Sequence, residues 1–524
     1  MTKLKIKQES QDPVLNIALD TLNKNKQALV FVNTKRSAEK VAEDISNHFK
    51  KLKQREDTEL SEQILSALAK PTKQCERLSR CVKYGVGFHH AGLTHKQKDI
   101  IEDSFKAGKI KIISCTPTLA AGMDMPAFRT VIRDLKRYGQ RGMQNIGVLE
   151  YLQMAGRAGR PKYDKEGQAI ALAGSEGEKE EIWEKYIDGE PEDIQSKLAV
   201  EPVLRTYVLS LIATKFVRTK KELVNFFSKT FWAYQFEDMD KLEIIIDKML
   251  RLLEEWEFIK GKGDDFISAS EVRDEKLKAT LLGQRVAELY LDPLAAHDIV
   301  KGLRRAEKTT LVPFSFLQLV SNTLEMRPLL RVRQKEYDDI VERLTQYDSN
   351  LLMSEPSLYE TFYDDFLDSV KTALFFNEWI EEKDEEFLLE HYNVRPGETR
   401  GKLEIADWLF YCMEEIAKLL KLQKLLKDVS KTRLRIKHGI KEELVPLVKL
   451  KEIGRVRARK LFNNGIKDVK GVKNADTSTL AYLLGKKITI NIKEQVGQKI
   501  RPEEIEIKKG KRKGQMSIDK YNKV

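Results

Sequence analysis

From about residue 25 to 175, short β-branched runs alternate with stretches of helical period. "ALVFVNT" (28–34) precedes a polar helix from Ser37, and "KIKIISCT", "TVIRDL" and "QAIALAG" follow in turn. This alternation predicts an α/β unit over 1–188, built on a mostly parallel sheet whose ligands meet the loops after the carboxyl ends of the strands. After "GSEGEKEEIWEKYIDGEPED" the pattern turns helical, and a Gly-containing break in "EFIKGKGDDFISAS" introduces a short strand. Helices ending in a strand-and-turn element predict a small winged helix over 189–278. Residues 279–430 are almost wholly of helical period and predict a bundle. "LVPLVKLKEIGRVRARKLFNNGIKDVKGV" reads as two short helices about a Gly-containing turn, placed in a unit over 431–490, before a lysine-rich tail over 491–524. The fold class is thus multidomain, a parallel α/β domain followed by helical domains, with no repeat of solenoid period.

At 524 residues the chain is too long for one hydrophobic core, which agrees with several domains. No apolar run approaches the roughly 18 to 20 residues of a membrane-spanning helix. The start "MTKLKIKQESQDP" has no apolar stretch behind its lysines, unlike a secretory signal. These features imply no membrane partner and a cytoplasmic, nucleoid-associated location. Cys75, Cys81, Cys115 and Cys412 match neither a disulfide framework nor paired zinc ligands, and with His89, His90 and His95 they fit no standard metal spacing. The expectation is reduced packing cysteines and no metal site. Charge is uneven: the whole chain carries +12, yet residues 430–524 alone hold 26 Lys and Arg against 10 Asp and Glu. Such a basic end is the footprint of a surface meeting phosphates, or else a solvated tail.

The stretch "YLQMAGRAGRP" places Arg157 and Arg160 three apart, read here as one face of a helix start, among Ala155, Gly156, Ala158 and Gly159. Small residues let a backbone approach a facing domain closely. Phosphoryl transfer spreads negative charge over the oxygens, and a planar, permanently charged guanidinium aimed there stabilises the transition state. Surface ion pairing is the alternative use of the same arginines. In "TPTLAAGMDMPA" the hydroxyl of Thr116, next to a strand end, can hydrogen-bond a phosphate oxygen without regard to sequence. Asp124 can equally stabilise a turn, and Asn33 and Thr34 can cap the helix at Ser37. His90 reads as a structural residue of the "FHHAGL" turn. Between Thr130 and Glu150, strand-like arms around Gly139, Gly142 and Gly147 predict a hairpin.

Together "ALVFVNTKRSAE", "GVGFHHAGL", "TPTLAAGMDMPA" and "QMAGRAGRP", in this order, resemble the second RecA-like domain of a superfamily 2 helicase. The resemblance implies that Arg157 and Arg160 are fingers reaching the γ-phosphate of ATP, with Gln153 at the nucleotide or nucleic-acid interface. It places Gly122 and Asp124 near the nucleotide, Asn33, Thr34 and Thr116 on nucleic-acid phosphates, and Tyr138 and Met143 where a hairpin wedges a duplex end. The order of winged helix, bundle and terminal hairpin narrows the resemblance to archaeal Ski-type DNA helicases of the Holliday-junction-migration (Hjm) kind. In the bundle, "ETRGKLEIADWLFYCMEEIAKLL" sets Ile405, Leu409, Met413, Ile416 and Leu420 on one apolar stripe, Trp408 at its margin and Arg400 two turns earlier. A tryptophan stacking on a base beside an arginine is the grip of single-strand channels, and in this family the matching helix is the ratchet along which DNA passes. The segment around Gly454 resembles a helix-hairpin-helix, whose backbone N–H groups favour a phosphate and whose Arg455, Arg457, Arg459 and Lys460 add attraction. Val456 stands where a second glycine is usual. "QMSIDKYN" holds Gln515, Ile518 and Tyr521 at the positions of a sliding-clamp peptide, with Asn522 in place of a second aromatic.

No G-x-x-x-x-G-K-[ST] stretch and no D-E-x-[DH] after an apolar strand occur in the sequence. The loop that cradles a triphosphate and the carboxylates that hold Mg2+ are therefore missing. The sequence reads as the carboxyl-terminal portion of a helicase, lacking the first RecA-like domain and depending on it for ATP and Mg2+. The implied activity is ATP-dependent 3′ to 5′ unwinding of forked or branched DNA in repair and recombination, with single-stranded and forked DNA as partners. The competing reading is a non-enzymatic DNA-binding or regulatory module that has lost the ATP-binding half. A third, an RNA-processing relative, is opposed by the helix-hairpin-helix.

Overall fold

The computed structural model describes residues 5–52, 56–122, 125–139, 142–160, 164–198, 200–236, 238–260 and 276–501. Asp124, Gln515, Ile518 and Tyr521, singled out in the sequence, lie outside them, as does the side chain of Tyr138.

The first stretch alternates α1 (Pro13–Asn23), β1 (Ala28–Phe31), α2 (Lys35–Lys51), α3 (Thr58–Leu65), α4 (Lys73–Val82), β2 (Val86–His89), α5 (His95–Lys106), β3 (Ile112–Cys115), α6 (Thr118–Gly122) and β4 (Arg129–Ile132). A hairpin of β5 (Lys136–Gly139) and β6 (Gly142–Asn145), then α7 (Val148–Ala155), β7 (Gln168–Ala171) and α8 (Glu176–Ile182) complete it. The sheet order is β2-β3-β1-β4-β7, and every neighbouring pair is parallel. Strands β1 to β4 are buried along their whole length, which is why apolar runs such as "ALVF" and "RTVI" are nearly continuous rather than alternating. β2 is the strand that the apolar pattern passes over. Its "VGFH" mixes a glycine and a histidine with two hydrophobes, yet all four residues are buried.

Farther on come α9 (Glu201–Ala213), α10 (Lys220–Phe227), α11 (Phe231–Phe236) and α12 (Met239–Glu255), with the antiparallel pair β8 (Ile259–Lys260) and β9 (Lys278–Ala279). Next are α13 (Leu281–Glu288), α14 (Pro293–Ala306), α15 (Pro313–Ser321), α16 (Tyr337–Thr345), α17 (Tyr363–Ile380), α18 (Glu385–Tyr392), α19 (Pro396–Leu419) and α20 (Gln423–His438). The chain closes with α21 (Val445–Val448), α22 (Arg455–Asn463), α23 (Val469–Asn474), α24 (Thr477–Leu484) and α25 (Lys486–Gln495). The last five share a separate apolar core, including Leu447, Leu461, Val472, Leu480 and Ile492. Two boundaries read from the sequence shift accordingly. α20 runs unbroken through 430, and α25, which buries Ile492, carries the last domain past 490.

The chain divides into two compact units. One comprises Met1–Lys197, Phe231–Glu237 and Asp384–Lys402, and the other Leu198–Thr230, Asp238–Lys383 and Leu403–Val524. Residues 384–402, placed with the bundle on helical period alone, thus belong with the parallel sheet. What holds them there is polar. The carboxylate of Glu39 on α2, with its side chain 3% exposed, accepts from Arg395 Nε at 2.9 Å and from Arg77 of α4, and faces His90 Nε2 at 3.3 Å. Gly92 N donates to His90 Nδ1 at 3.1 Å, which leaves the imidazole proton on Nε2, facing Glu39. Around this centre Lys35 pairs with Glu398, Lys70 with Asp384, and Lys73 with Glu386 and Glu390. The backbones meet directly: Gly397 N donates to Gly92 O at 3.0 Å. A Cβ on Gly397 would stand 2.2 Å from Leu93 O, and one on Gly92 would stand 2.3 Å from Arg395 Cδ, so only glycine fits either place.

Burial alone would push the Glu39 carboxyl up, but the hydrogen bond from His90 and the charge and hydrogen bond of Arg395 outweigh it and hold it down to about 2. A depressed carboxyl contributes stability that is complete above its unfolded value near 4.5 and is lost as pH falls from there through about 2. Urea unfolding of the α/β unit at pH 7, 4 and 3 is therefore expected to lose about 2 kcal/mol between the first and the last, and Glu39→Gln is expected to remove most of that pH dependence. Between α1 and β7, Arg129 is fully buried, with Nη1 2.6 Å from Asp20 Oδ2 and Nε donating to Gln168 Oε1 at 2.7 Å. Arg129→Ala should cost about 3 kcal/mol in the same measurement, because it strands polar groups that the arginine satisfies.

Candidate functional site

At the carboxyl ends of adjacent strands the structure brings together most of the residues read as phosphate contacts. Asn33 and Thr34 follow β1, Thr116 follows β3, and Asp134 follows β4. Asn33 N donates to Asp134 Oδ2 at 3.0 Å and its Nδ2 to Lys136 O at 3.1 Å, which ties the first loop to the foot of the β5–β6 hairpin. Thr34 is the N-cap of α2, its hydroxyl accepting from Ser37 N at 3.0 Å. The capping use of this residue, weighed against strand contact in the sequence, is the one observed. Thr116 N donates to His89 O at 3.2 Å, and its hydroxyl lies 2.9 Å from that of Thr118. The hairpin is present, with Tyr138 opposite Met143 in its register and Met143 58% exposed.

The arginines occupy a different place from the one their spacing suggests. α7 ends at Ala155, and Gly156 caps it, so Arg157 and Arg160 follow a helix instead of starting one. Gly159 has φ +97°, a conformation that glycine alone adopts cheaply, and its N donates to Ala127 O at 2.6 Å. The small residues do permit a close backbone approach, but it is internal: a Cβ on Gly167 would stand 2.4 Å from Gly159 N. Arg157 is half-buried and turns back on Ala120 O through Nε, at 3.2 Å, and Nη2, while no hydrogen bond engages its Nη1 among the described residues. Arg160 is held more firmly. Its Nε and Nη2 donate to Asp164 at 2.7 and 3.3 Å, and its Nη1 donates to Gln27 Oε1 at 2.6 Å. Gln27 cannot turn away, because its own Nε2 donates to Phe105 O and Ile110 O at 2.6 and 2.7 Å. The Arg160 hydrogen bond, with help from Lys26, holds the Asp164 carboxyl below its usual range despite burial.

Gln27 immediately precedes β1 and Asn33 follows it closely, so Arg160 and the Asn33–Thr34 loop lie at opposite ends of the sheet. Strands of this length put them roughly 13 Å apart or more. Gln153, the last of the polar residues read with the arginines, is exposed on α7. Gly122 ends α6. The described residues hold no group of three His, Cys, Asp or Glu side chains able to bind a metal ion.

In α19, Leu409, Met413 and Ile416 are buried and Trp408 is half-buried. Arg400 lies in the turns of α19 that belong with the sheet, and its side chain is 53% exposed, 3.9 Å from Glu385. The terminal hairpin uses its arginines less uniformly than their spacing suggests. Arg459 donates to Glu382 through Nε and Nη2, both at 2.9 Å, and to Glu443 at 2.9 Å. Arg455 lies over the Trp379 ring at 5.2 Å. Both arginines therefore fasten the hairpin to the end of α17. Arg457 and Lys460 face solvent, Arg457 bonding, among the described residues, the carbonyl of Glu452 through Nη1 at 2.6 Å. Gly454 precedes α22 without a side-chain cap. Sequence reasoning missed Gln27, Asp164, Glu39, Arg395 and Trp379, each a partner of a residue it did find or of a motif it left as structural.

Residues 11–162 match the family described as the helicase conserved C-terminal domain, and residues 314–439 match archaeal helicase, domain 4. The chain is 37% identical to the ATP-dependent DNA helicase Hel308 of Methanococcus vannielii over 94% of its own length and 69% of that protein's. It is 39% identical to the Hel308 of Methanocella arvoryzae and 38% to that of Pyrococcus horikoshii, in each case over 93% of its own length, spanning 65% and 66% of theirs. With the parallel sheet, the two arginines beyond α7 and the hairpin between β4 and α7 in place, this chain belongs to the Hel308 family of archaeal superfamily 2 helicases.

Proposed function

We propose that this chain is the DNA-gripping and hydrolysis-completing portion of an ATP-dependent 3′ to 5′ DNA helicase that opens forked or branched DNA during repair and recombination. The observation that carries the reading is the bipolar sheet. Hydroxyl and amide groups suited to a phosphate strand gather at its carboxyl end, and Arg160, braced by Asp164 and Gln27, stands at the other with Arg157 three residues before it, so nucleotide and strand can be engaged by one rigid body without competing. Arg157, with one arm of its fork open, is the finger that meets the γ-phosphate of ATP. Arg160, fixed from three sides, supplies standing positive charge beside it. The 524 residues contain no phosphate-cradling G-x-x-x-x-G-K-[ST] loop, so in this reading another RecA-like domain provides it and the carboxylates for Mg2+. Met143 at the hairpin wedges the duplex, and Trp408 with the outward residues of the last domain holds the separated strand. The Gln515–Tyr521 segment engages a sliding clamp, and deleting it is expected to abolish clamp binding.

With the cradling domain supplied, Arg157→Ala should cut DNA-stimulated ATP hydrolysis by about a thousandfold while single-strand affinity stays within about twofold. Undiminished hydrolysis would overturn the assignment and favour a binding module. In the last domain, Arg457→Ala and Lys460→Ala should each lower the salt dependence of binding to a forked duplex by about one counterion. Arg459→Ala should leave that slope alone and instead lower the thermal unfolding midpoint, since it breaks the pairs with Glu382 and Glu443.

A further inference from the structure

In a chain of net charge +12, residues 336–368, from the start of α16 into α17, hold ten Asp and Glu against a single Arg or Lys. Several of these carboxylates have partners: Glu336 pairs with Lys371, Asp365 with Arg327, and Asp368 accepts from Val332 N at 2.6 Å. Arg331 and Arg333, just before the segment, lie by Asp368 and Glu336. Asp338, Asp339 and Glu342 on α16 and Asp364 on α17 are exposed, and no ion pair engages them among the described residues. The field at a helix N-terminus accounts for acids in the first turns of α16 and α17. It does not account for the apolar side chains beside them. The turn before α17 is fixed by hydrogen bonds, Glu360 N donating to Ser357 O at 2.9 Å, Tyr363 N to Glu360 O at 3.0 Å and Tyr363 Oη to Glu355 Oε1 at 3.1 Å. From it Leu358, Tyr359 and Phe362 stand 64%, 96% and 59% exposed. Tyr363 is buried and meets Tyr337, the first residue of α16, which brings the starts of the two helices together. An ordered turn that holds three large apolar side chains in water forgoes their burial, and clusters of this kind mark interaction surfaces.

We propose that this face of the helical bundle, with Asp338, Asp339, Glu342, Leu358, Tyr359 and Phe362, docks a basic polypeptide segment that carries apolar side chains among its lysines and arginines. Carboxylates repel a nucleic acid or an anionic membrane and attract a polycation. The leucine and the aromatic rings require hydrocarbon to cover them, which a polypeptide supplies, and the ring faces also receive a guanidinium or ammonium group.

The test uses the whole chain and a fluorescein-labelled synthetic peptide of leucine and lysine in helical period, with anisotropy read at low and moderate salt. Binding is expected to saturate at one peptide per chain and to weaken with salt. Asp338→Asn with Asp339→Asn, and separately Tyr359→Ser with Phe362→Ser, should each weaken it by about tenfold, and only the first pair should also flatten its salt dependence. All four side chains are exposed, so the thermal unfolding midpoint should stay where it is. Glu180→Gln with Glu181→Gln, in the acidic α8, should leave affinity within about twofold. An oligolysine of equal charge should bind at least about tenfold more weakly than the peptide that contains leucine. Absence of binding by the parent chain, equal binding of the two peptides, indifference to either pair of substitutions, or an equal loss from the Glu180 and Glu181 pair overturns the docking face. Sedimentation of the chain alone checks the occupant: salt-sensitive self-association abolished by Tyr359→Ser with Phe362→Ser overturns a separate partner in favour of a second copy.

Discussion

A buried carboxylate that must be shared organises the α/β unit of this protein. Glu39 sits on α2 with almost no access to water, and an ion so placed is tolerated only where several donors converge on it. Those donors come from three places in the chain: α4 through Arg77, the end of β2 through His90, and a segment more than three hundred residues on through Arg395. Burial keeps the His90 imidazole below its ordinary pKa, so it serves as an oriented dipole and adds no second charge. The cost of burying Glu39 is met only when the distant segment is in place. That makes residues 384–402 part of the unit's folding and not an ornament on it.

The parallel sheet then decides what can be near what. Its strands are short, and their two ends present different chemistry. Loops after the strands expose backbone and small polar side chains, and at this end Asn33, Thr116 and Asp134 come from β1, β3 and β4, which are neighbours. The other end holds the connection from α7 to β7, where Gly159 turns with positive φ and lays Ala158 beside Ala127. An arginine leaving such a turn is aimed by what it can bond, and Gln27, itself immobilised by two carbonyls, aims Arg160. The short strands hold these two ends apart, with the fully buried Arg129 closing the space between α1 and β7.

The strands β1, β3 and β4 were legible because parallel strands buried on both faces leave continuous apolar runs, and the edge strand β7, only partly buried, was legible from its small and β-branched residues. The hairpin was legible because glycines at 139 and 142 bracket its turn. β2 was not, because "VGFH" has no such run, and its burial is imposed by neighbours. The arginines were found but misplaced: spacing of three is a helical signal, whereas Gly156 and Gly159 terminate the helix before it can apply. No local pattern could announce that Arg395 belongs to Glu39, or Arg459 to Glu382, since charge pairs across such separations carry no periodicity. The "HHAGL" turn was read as structural, which is true of His90, but the reason lies in what the turn receives.

The basic end of the chain shows how net charge overstates a phosphate footprint. Among the described residues there, arginine and lysine divide the labour. Arg433 pairs with Asp407 and Glu414, Arg435 with Glu381, and Arg459 with Glu382 and Glu443, while Arg455 lies on Trp379. A planar fork suits such fixed, partly desolvated partners. Lys449, Lys451, Lys460, Lys467, Lys470, Lys486 and Lys487 face solvent instead, as mobile point charges that can follow a flexible backbone. Lys493 is the exception: it is buried against the carbonyls of Lys473 and Ala475 at the end of α23, and burial lowers its pKa. Of the arginines that drew attention in the sequence, Arg455 and Arg459 therefore fasten the last domain to α17, while Arg457 and the lysines around them face solvent, where a polyanion can meet them. An estimate of how many counterions a strand releases on binding must begin from the second set, not from the sum of both.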